Sequence, residues 1–239
     1  MSNQSYYLTT AIPYANADPH IGFALEILYA DVMARYQRLL GNEVYFLTGT
    51  DEHGQKMLKT AKEAGKPVEE YASEKSAQFL NLADQWNITN NDFIRTTEDR
   101  HMQRAQKFWQ VVADSGDIYK KTYTGLYCVG CESFKTEKDL VDGKCPDHKK
   151  IPEIISEENY FFRLSKYQKS LEALFKKNSN FVYPESRFNE IKNILKNGLE
   201  DISVSRTKKK LSWGVPVPDD DAQVMYVWFA ALTNYLTAL

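Results

Sequence analysis

Cysteine, glycine and proline are all scarce in this sequence, whose 239 residues include 3 cysteines, 11 glycines and 8 prolines. So few glycines and prolines exclude a collagen-like repeat and a broadly disordered chain. The low, odd number of cysteines argues against the disulfide framework of a small secreted protein. The composition is that of a folded globular protein, and this length allows one large domain or two small ones.

Long apolar runs and an excess of one charge are missing as well. No stretch of about 18 apolar residues occurs, and residues 1–7 lack the basic and apolar regions of a secretion signal. We therefore expect a cytoplasmic protein with no membrane partner. The net charge is −2, from 30 basic and 32 acidic residues. Because nucleic-acid-binding proteins are usually strongly basic, any polyanion site must be local.

A strand, a helix and a second strand are predicted in the first fifty residues. Tyr6–Ile12 is rich in β-formers, apolar residues recur at helical spacing over Gly22–Leu40, and Glu43–Leu47 is a second strand. This order indicates a βαβ unit with parallel strands. Such sheets bind ligands beyond the carboxyl ends of their strands, where residues 13–23 and 48–54 form two polar loops.

The first polar loop leads into the predicted helix, where unpaired N–H groups and the helix dipole favour a phosphate. His20 offers an imidazole to a phosphate oxygen at this point, and Gly22 lets a ligand approach because it has no side chain. By position alone, a solvent-exposed His20 with no ligand is an equally good interpretation. The glycine-rich phosphate motifs GxxxxGK[ST] and GxGxxG are absent from this loop. The arrangement predicts a nucleotide or phosphate site.

All three cysteines fall into two short motifs. Cys128 and Cys131 form a CxxC pair, and Cys145 and His148 form a CxxH pair after a spacer of 13 residues. Three thiolates and one imidazole match the donors of a closed tetrahedral zinc site, which leaves no position for water. We therefore expect a structural zinc ion. The alternatives are unliganded thiols or a redox pair, although a redox CxxC normally opens a helix of a thioredoxin-like unit.

Several separated motifs carry a family resemblance. Residues 12–23 read IPYANADPHIGF, residues 49–54 read GTDEHG, residues 93–97 read FIRTT, and residues 226–231 read YVWFAA. In this order they resemble the methionyl-tRNA synthetases, a family of class I aminoacyl-tRNA synthetases with the HIGH signature. The resemblance extends over nearly the whole chain. It implies an α/β fold in which a Rossmann-like parallel sheet is interrupted by a zinc-binding connective insertion.

The resemblance also divides the chain into three predicted parts. Residues 1–117 are expected to form the first half of the nucleotide-binding catalytic domain, and residues 118–212 the connective insertion with its zinc site. Residues 213–239 are expected to return to the catalytic domain, with a strand at Val224–Phe229 in the nucleotide-binding sheet and a helix over Ala230–Leu236.

The resemblance implies two groups of substrate-binding residues. ATP, with Mg²⁺, is expected to contact Pro13, Asn16, His20, Gly22 and Phe23, of which His20 and Gly22 are the predicted catalytic residues. Methionine is expected to contact Ile12, Tyr14, Asp51, Trp228, Ala231, Leu232 and Tyr235. The Asp51 carboxylate would pair with the ammonium group, and aromatic rings would contact the polarizable thioether. Without the resemblance, Trp228 and Tyr235 read as core residues.

The implied reaction is ATP-dependent formation of methionyl-adenylate, followed by transfer of the methionyl group to tRNA(Met). This portion of the enzyme is expected to contact only the acceptor end of the tRNA. Phe23 and Ala230 replace a family His and Asp, and no KMSKS loop or anticodon-binding domain occurs. We expect an N-terminal portion that is inactive alone, either truncated or completed by a separate C-terminal chain. The alternatives are a non-catalytic fragment that binds zinc and a partner, and an HxGH-type nucleotidyltransferase.

Two other segments allow a functional and a plain interpretation. The aromatic cluster Tyr160–Phe162 is expected to pack in the core of the insertion rather than stack on bases. The basic run Lys208–Lys210 is expected to be a solvated loop rather than an acceptor-stem contact.

Overall fold

The computed structural model describes residues 4–131 and 133–239, so residues 1–3 of the predicted first part lie outside the described residues. In chain order, the first part contains β1 (Ser5–Thr9), α1 (Ile21–Leu39), β2 (Glu43–Thr50), α2 (Gln55–Glu63), α3 (Val68–Gln85), β3 (Asp92–Arg95) and α4 (Asp99–Asp114). Strands β1, β2 and β3 lie side by side in this order, and all of them are parallel. The predicted α/β fold with a parallel sheet is therefore confirmed.

Strand β2 is longer than the sequence predicts, because it continues through Thr48 and Gly49 to Thr50. These residues pair with β3, where Gly49 lies opposite Ile94. A Cβ atom on Gly49 would lie 2.0 Å from the Ile94 carbonyl oxygen, so only glycine allows the two strands to approach this closely. The strand thus carries its last residues to the sheet edge where the polar loops meet.

Helix α1 forms where predicted, but a different face of it is buried. Its core side consists of Phe23, Ala24, Ile27, Ala30 and Ala34, none of which is more than 9% exposed. The larger apolar residues whose spacing predicts the helix lie on the other side and are exposed: Leu25, Leu28, Tyr29, Val32, Tyr36, Leu39 and Leu40. Small side chains therefore bring this helix close to the sheet.

The middle of the chain forms an antiparallel sheet with a helical hairpin. It contains β4 (Ile118–Cys128), β5 (Ser133–Lys135), β6 (Glu153–Phe162), α5 (Gln168–Lys177), α6 (Glu185–Asn197) and β7 (Ile202–Ser203), with the strands in the order β5-β4-β6-β7. Phe161 is 5% exposed, and the Tyr160 ring packs edge-on against Trp109 at 5.5 Å between ring centroids. The aromatic cluster therefore belongs to the core, as the plain interpretation expects.

The last elements correct the predicted strand at Val224–Phe229. They are β8 (Ser205–Thr207), β9 (Pro216–Val217), β10 (Asp220–Met225), α7 (Val227–Leu232) and α8 (Asn234–Thr237). Only Val224 and Met225 belong to a strand, and β10 pairs with β8 and β9 in a separate antiparallel sheet, not with the parallel sheet. A short apolar run suits a buried helix as well as a strand, and here Val227, Ala230 and Ala231 are buried at helical spacing.

The chain returns to the first part through helices rather than through that strand. The Tyr7 hydroxyl donates to the Tyr235 carbonyl at 2.7 Å, and His101 Nδ1 lies 2.8 Å from Thr237 Oγ1. The predicted domain boundaries after residues 117 and 212 stay predictions. Within the described ranges, no helix is both long enough and apolar enough to cross a membrane.

Candidate active site and metal centre

The two polar loops meet at the carboxyl ends of β1 and β2. The Ala15 N–H donates to the Asp51 carbonyl at 2.8 Å, and the Asp51 N–H donates to the Pro13 carbonyl at 2.9 Å. Tyr14 and Asp51 are thus paired as in a parallel sheet, one step beyond the strands themselves. This backbone bridge fixes the two loops relative to each other, as the βαβ interpretation expects.

His20 closes the N-terminus of α1. Its Nδ1 accepts the Gly22 N–H at 3.0 Å. Because an accepting nitrogen carries no hydrogen, the N–H group of the ring is at Nε2. The exposed Nε2–H can donate to a phosphate oxygen. A Cβ atom on Gly22 would lie 2.8 Å from the imidazole ring, which explains why this position takes glycine. In this arrangement the Gly22 amide is used by His20 rather than offered to a ligand.

Besides Pro13, whose carbonyl accepts the Asp51 N–H, two further predicted nucleotide contacts differ in exposure. Asn16 is half-buried, and its carbonyl accepts the Tyr71 hydroxyl at 3.0 Å. Phe23 is only 3% exposed and packs edge-on against Phe79 at 4.9 Å. The side chain of Phe23 therefore belongs to the core, and a nucleotide contact at this position stays a prediction.

A buried ion pair supports the second loop. The Glu52 side chain is fully buried and accepts two hydrogen bonds from Arg95, at 2.7 Å from Nε and 2.9 Å from Nη2. The Thr50 and Thr97 hydroxyls donate to the same carboxylate at 2.8 Å and 2.6 Å. Glu52 raises the pKa of the Arg95 guanidinium through these bonds. Each carboxylate oxygen is satisfied, as a buried charge requires.

This network reaches Asp51 through one hydroxyl group. Thr96 Oγ1 accepts the Glu52 N–H at 2.9 Å and lies 3.4 Å from Asp51 Oδ1. Asp51 is itself 6% exposed. Glu52, Arg95 and Thr96 have no predicted role, although all three lie in the motifs GTDEHG and FIRTT. Their position at the carboxyl ends of two parallel strands, where Arg95 is the last residue of β3, is the signal that predicts a shared site.

The four predicted metal ligands converge. All four donor atoms of Cys128, Cys131, Cys145 and His148 lie within 4.8 Å of one another. The closest pairs are His148 Nδ1 to Cys131 Sγ at 3.3 Å and Cys131 Sγ to Cys145 Sγ at 3.5 Å. Donors at zinc-ligand distances in a tetrahedron are about 3.3–3.8 Å apart, so these side chains fit a zinc ion.

Gly130 allows the histidine to reach this cluster. A Cβ atom on Gly130 would lie 2.3 Å from the His148 ring, so any larger residue in the CxxC turn would push the imidazole away. Burial and the neighbouring thiols raise the pKa of Cys131, while the hydrogen bond from His148 lowers the pKa of Cys145. Crowded thiols of this kind are stabilised when a cation holds them as thiolates.

Residues 6–151 and 138–239 match the family described as tRNA synthetases class I (M). The chain belongs to this family. The nucleotidyltransferase alternative is thereby ruled out.

Named relatives agree with the family. Methionine–tRNA ligase of Brucella suis biovar 1 is 48% identical to this class I synthetase chain over 243 residues, covering 100% of the chain and 47% of the relative. The ligase of Thermotoga maritima is 47% identical, covering 98% of the chain and 38% of the relative. The chain therefore spans about half or less of the length of these relatives.

A solved structure agrees as well. Mycobacterium tuberculosis methionyl-tRNA synthetase bound by methionyl-adenylate superimposes with a TM-score of 0.93 at 43% identity, covering 98% of this chain and 47% of that one.

The predicted methionine contacts of the synthetase chain lie in several places. Tyr14 and Trp228 line one cavity together with Cys131 and His148 of the metal cluster. Trp228 and Leu232 are each 59% exposed and line a second, apolar groove. Ile12, Ala231 and Tyr235 line neither of these two cavities. Tyr14 and Trp228 thus share a cavity with the metal cluster, and Tyr14 is bridged to Asp51.

Two buried histidines make the stability of the synthetase chain sensitive to acid. Burial lowers the pKa of both His53 and His101 to about 4. Because these values lie below the value of about 6.5 in the unfolded chain, unfolding takes up protons. We expect full stability above pH 6.5 and a loss between pH 6.5 and 4, with a slope approaching about 2.7 kcal/mol per pH unit. Urea unfolding from pH 7.5 to 5 measures it.

The matched variant for this experiment is His101→Gln, which removes one of the two titrations and should halve the slope. An unchanged slope in this variant would show that other groups cause the acid sensitivity.

Proposed function

We propose that this chain forms the part of a methionine–tRNA ligase that binds methionine and the phosphates of ATP. The observation that carries the proposal is the backbone bridge between Tyr14 and Asp51, which holds a buried carboxylate beside the loop that contains His20. Family membership and the names of the relatives support the same activity. A cytoplasmic location and a separate C-terminal chain stay predictions.

The proposed reaction has two steps. A carboxylate oxygen of methionine attacks the α-phosphorus of ATP, the new C–O–P linkage forms, and pyrophosphate leaves with the electrons of the broken P–O bond. Methionyl-adenylate then transfers its acyl group to a ribose hydroxyl at the acceptor end of tRNA(Met), releasing AMP. Mg²⁺ accompanies ATP and balances phosphate charge. The protein contributes position and charge stabilisation rather than a covalent nucleophile.

Each loop has its own part in this scheme. The His20 Nε2–H donates to a phosphate oxygen at the start of α1, where the helix dipole also favours negative charge. The Asp51 carboxylate pairs with the ammonium of methionine in a site with little water, where the attraction is strong. Tyr14 and Trp228 contact the thioether, whereas methionine contacts at Ile12, Ala231, Leu232 and Tyr235 stay predictions from the family resemblance.

The metal cluster has a structural part in the proposal. Cys128, Cys131, Cys145 and His148 would hold one Zn²⁺ ion, and four protein ligands leave no position for a substrate. The ion would join β4 to the loop before β6. Because Cys131 and His148 line the same cavity as Tyr14 and Trp228, the folded cluster forms one wall of the methionine region.

Binding of a non-hydrolysable methionyl-adenylate analogue tests the proposed function. At a concentration of 100 times Kd, the analogue should stabilise the protein by about 2.7 kcal/mol. A chain of this length then melts about 5–10 °C higher. The leucyl and isoleucyl analogues are the controls and should give much smaller shifts, because they lack the thioether. Equal shifts with all three analogues, or no shift in a cooperatively melting sample, would contradict the proposal.

A further inference from the structure

Trp213 lies far from the Asp51 loop in the sequence but contacts it in the structure. Its indole Nε1–H donates to the Glu52 carbonyl at 2.6 Å, and its own carbonyl accepts the Gly54 N–H at 3.2 Å. Its ring lies against the imidazole of His53, with 5.3 Å between the ring centroids. Three successive loop residues are thus held by one residue that is 161 positions away from Glu52 in the chain.

The segment that carries Trp213 is fixed by the core of the protein. The indole packs against the buried cluster that includes Phe46 and Met57. The flanking residues Leu211 and Val215 are only 5% and 1% exposed. Because a close-packed core resists displacement, Trp213 holds the loop in place rather than following its movements.

The same segment is joined to the strand that leads to Trp228. The Val215 carbonyl accepts the N–H of Met225 at 2.7 Å, and Met225 is the last residue of β10. Helix α7, which contains Trp228, begins directly after the next residue of the chain. Residues 213–215 therefore connect the loop of Asp51 with the helix that carries Trp228.

Glu52 is held from two separate parts of the chain. Arg95, at the end of β3, binds its carboxylate, while Trp213 binds its backbone carbonyl. The carboxylate bonds fix the loop relative to the parallel sheet, and the indole bond fixes it relative to the segment that leads to Trp228. Trp213 does not line the cavity that Tyr14 shares with Trp228, so its effect on a ligand there passes through the loop.

A small ligand that is bound at both ends is sensitive to the separation of the two groups that bind it. In the proposed function, Asp51 pairs with the ammonium of methionine and Trp228 contacts the thioether at the other end of the molecule. Hydrogen bonds weaken steeply when donor and acceptor move out of line, so both contacts form together only when the two groups are held in one arrangement.

We propose that Trp213 is a positioning residue that fixes the Asp51 loop relative to the helix of Trp228, so that the ammonium and the thioether of methionine are bound at the same time. This inference rests on the proposed function, because that function assigns the two contacts. Without the indole N–H, the loop is held mainly from the side of the sheet. The ammonium contact should therefore weaken more than the other contacts of the ligand.

The experiment measures the affinity of the full chain for two ligands. They are the non-hydrolysable methionyl-adenylate analogue and the same molecule without its α-ammonium group. Trp213→Phe keeps an aromatic ring beside His53 but removes the indole donor. It should bind the complete analogue roughly fivefold more weakly, which is the size of effect expected for one lost hydrogen bond. Its affinity for the second ligand should change by less than about twofold, since that ligand has no group to pair with the Asp51 carboxylate.

Trp86→Phe and Trp109→Phe are the matched controls, because each makes the same chemical change elsewhere in the chain. Trp86 is 44% exposed at the end of α3, whereas Trp109 is 3% exposed in α4. Trp109→Phe should lower the melting temperature, because it leaves space in the core. Neither control should alter the ratio of the two affinities, measured below the melting temperature of every variant. Loss of stability alone is thereby distinguished from loss of positioning.

A double variant tests whether the effect of Trp213 passes through Asp51. In Asp51→Asn protein, Trp213→Phe should have no further effect on affinity, because the carboxylate that it positions is already absent. Additive effects of the two substitutions would overturn the proposal. Equal weakening of both ligands by Trp213→Phe would overturn it as well.

Hydrogen exchange separates this inference from the proposed function, because it needs no ligand. The backbone amides of residues 51–56 should exchange faster in Trp213→Phe but not in Trp86→Phe. If the unchanged protein bound neither ligand, the proposed function would be contradicted. Faster exchange would then still support the fixing of the loop by Trp213, and unchanged exchange would overturn it. An unchanged affinity ratio in Trp213→Phe, in a protein that binds the complete analogue, would overturn the inference about Trp213 alone.

Discussion

Replacement of Cys145 by serine is expected to abolish zinc binding and to unfold the segment between β4 and β6. Cys145 is fully buried, and its Sγ lies 3.5 Å from Cys131 Sγ and 3.8 Å from His148 Nδ1. The hydroxyl of serine is a poor zinc ligand, so three ligands would remain. Metal analysis should give about one zinc per chain before the change and almost none after it.

The size of this effect follows from the small core of the segment. Structural zinc contributes about 10–16 kcal/mol of apparent free energy in small modules. A whole domain is stable by only about 5–15 kcal/mol, so loss of the ion removes an amount comparable with the net stability. Among the described residues of the loops that the cluster joins, the regular elements are short: β5 and the turn at Glu137–Asp139. Hydrogen exchange should therefore increase strongly over residues 128–150 and little in the parallel sheet.

Asp147→Asn is the matched control, because Asp147 lies beside the cluster without belonging to it. Its carboxylate is 3.6 Å from Cys131 Sγ and is exposed, so its loss should leave the zinc content and the hydrogen exchange unchanged. Two results together would contradict the zinc site: no bound metal in protein purified under reducing conditions, and an unchanged melting temperature for Cys145→Ser. They would favour the interpretation of these cysteines as unliganded or redox-active thiols.

The metal centre could be predicted from the sequence because its chemistry is local. Two ligand pairs with two-residue spacers limit where four donors can go, and the fold has only to bring two turns together. The parallel sheet could be predicted for a similar reason, since strand, helix and strand follow one another within fifty residues. The structure confirms the parallel sheet and the convergence of the four donors.

Burial was harder to predict than secondary structure. The spacing of Leu25, Val32 and Tyr36 correctly indicates a helix, but these residues are exposed and the alanines between them face the sheet. Periodicity identifies an apolar face, whereas close packing on a sheet selects small side chains that a count of apolar residues overlooks. The apolar run at Val224–Phe229 shows the same limit, because composition alone does not separate a buried helix from a strand.

The candidate active site was only half predictable. Asp51 follows a strand and attracts attention as a carboxylate, while the residues that hold it are spread over Thr50, Glu52 and the segment after β3. Their pairing depends on the register of β2 and β3, in which Thr50 lies opposite Arg95. A sequence does not state that register, so a salt bridge between residues 43 positions apart has no local signal.

Loss of the Glu52 carboxylate is expected to have the largest effect of any single change in this site. Glu52→Gln removes the charge that balances Arg95 and two of the carboxylate's acceptor positions. Breaking a buried pair costs about 3–5 kcal/mol, and the lower end applies here because the Arg95 side chain is 30% exposed. Urea unfolding should show a loss of about 3 kcal/mol. Affinity for the methionyl-adenylate analogue should also fall, because the loop that carries Asp51 loses the side-chain hydrogen bonds that join Glu52 to Arg95 and Thr97.

Two further variants separate the contribution of the buried Glu52–Arg95 ion pair to stability from the contribution of Glu52 to analogue binding. Lys66→Ala breaks an ion pair with Glu74 whose side chains are 39% and 46% exposed, and it should cost less than about 1 kcal/mol. Glu52→Gln combined with Arg95→Met leaves no uncompensated charge, so it should recover part of the lost stability. It should not recover analogue affinity, because the hydrogen bonds that orient the loop are still missing. Recovery of affinity together with stability would mean that Glu52 supports the fold alone and has no part in positioning Asp51.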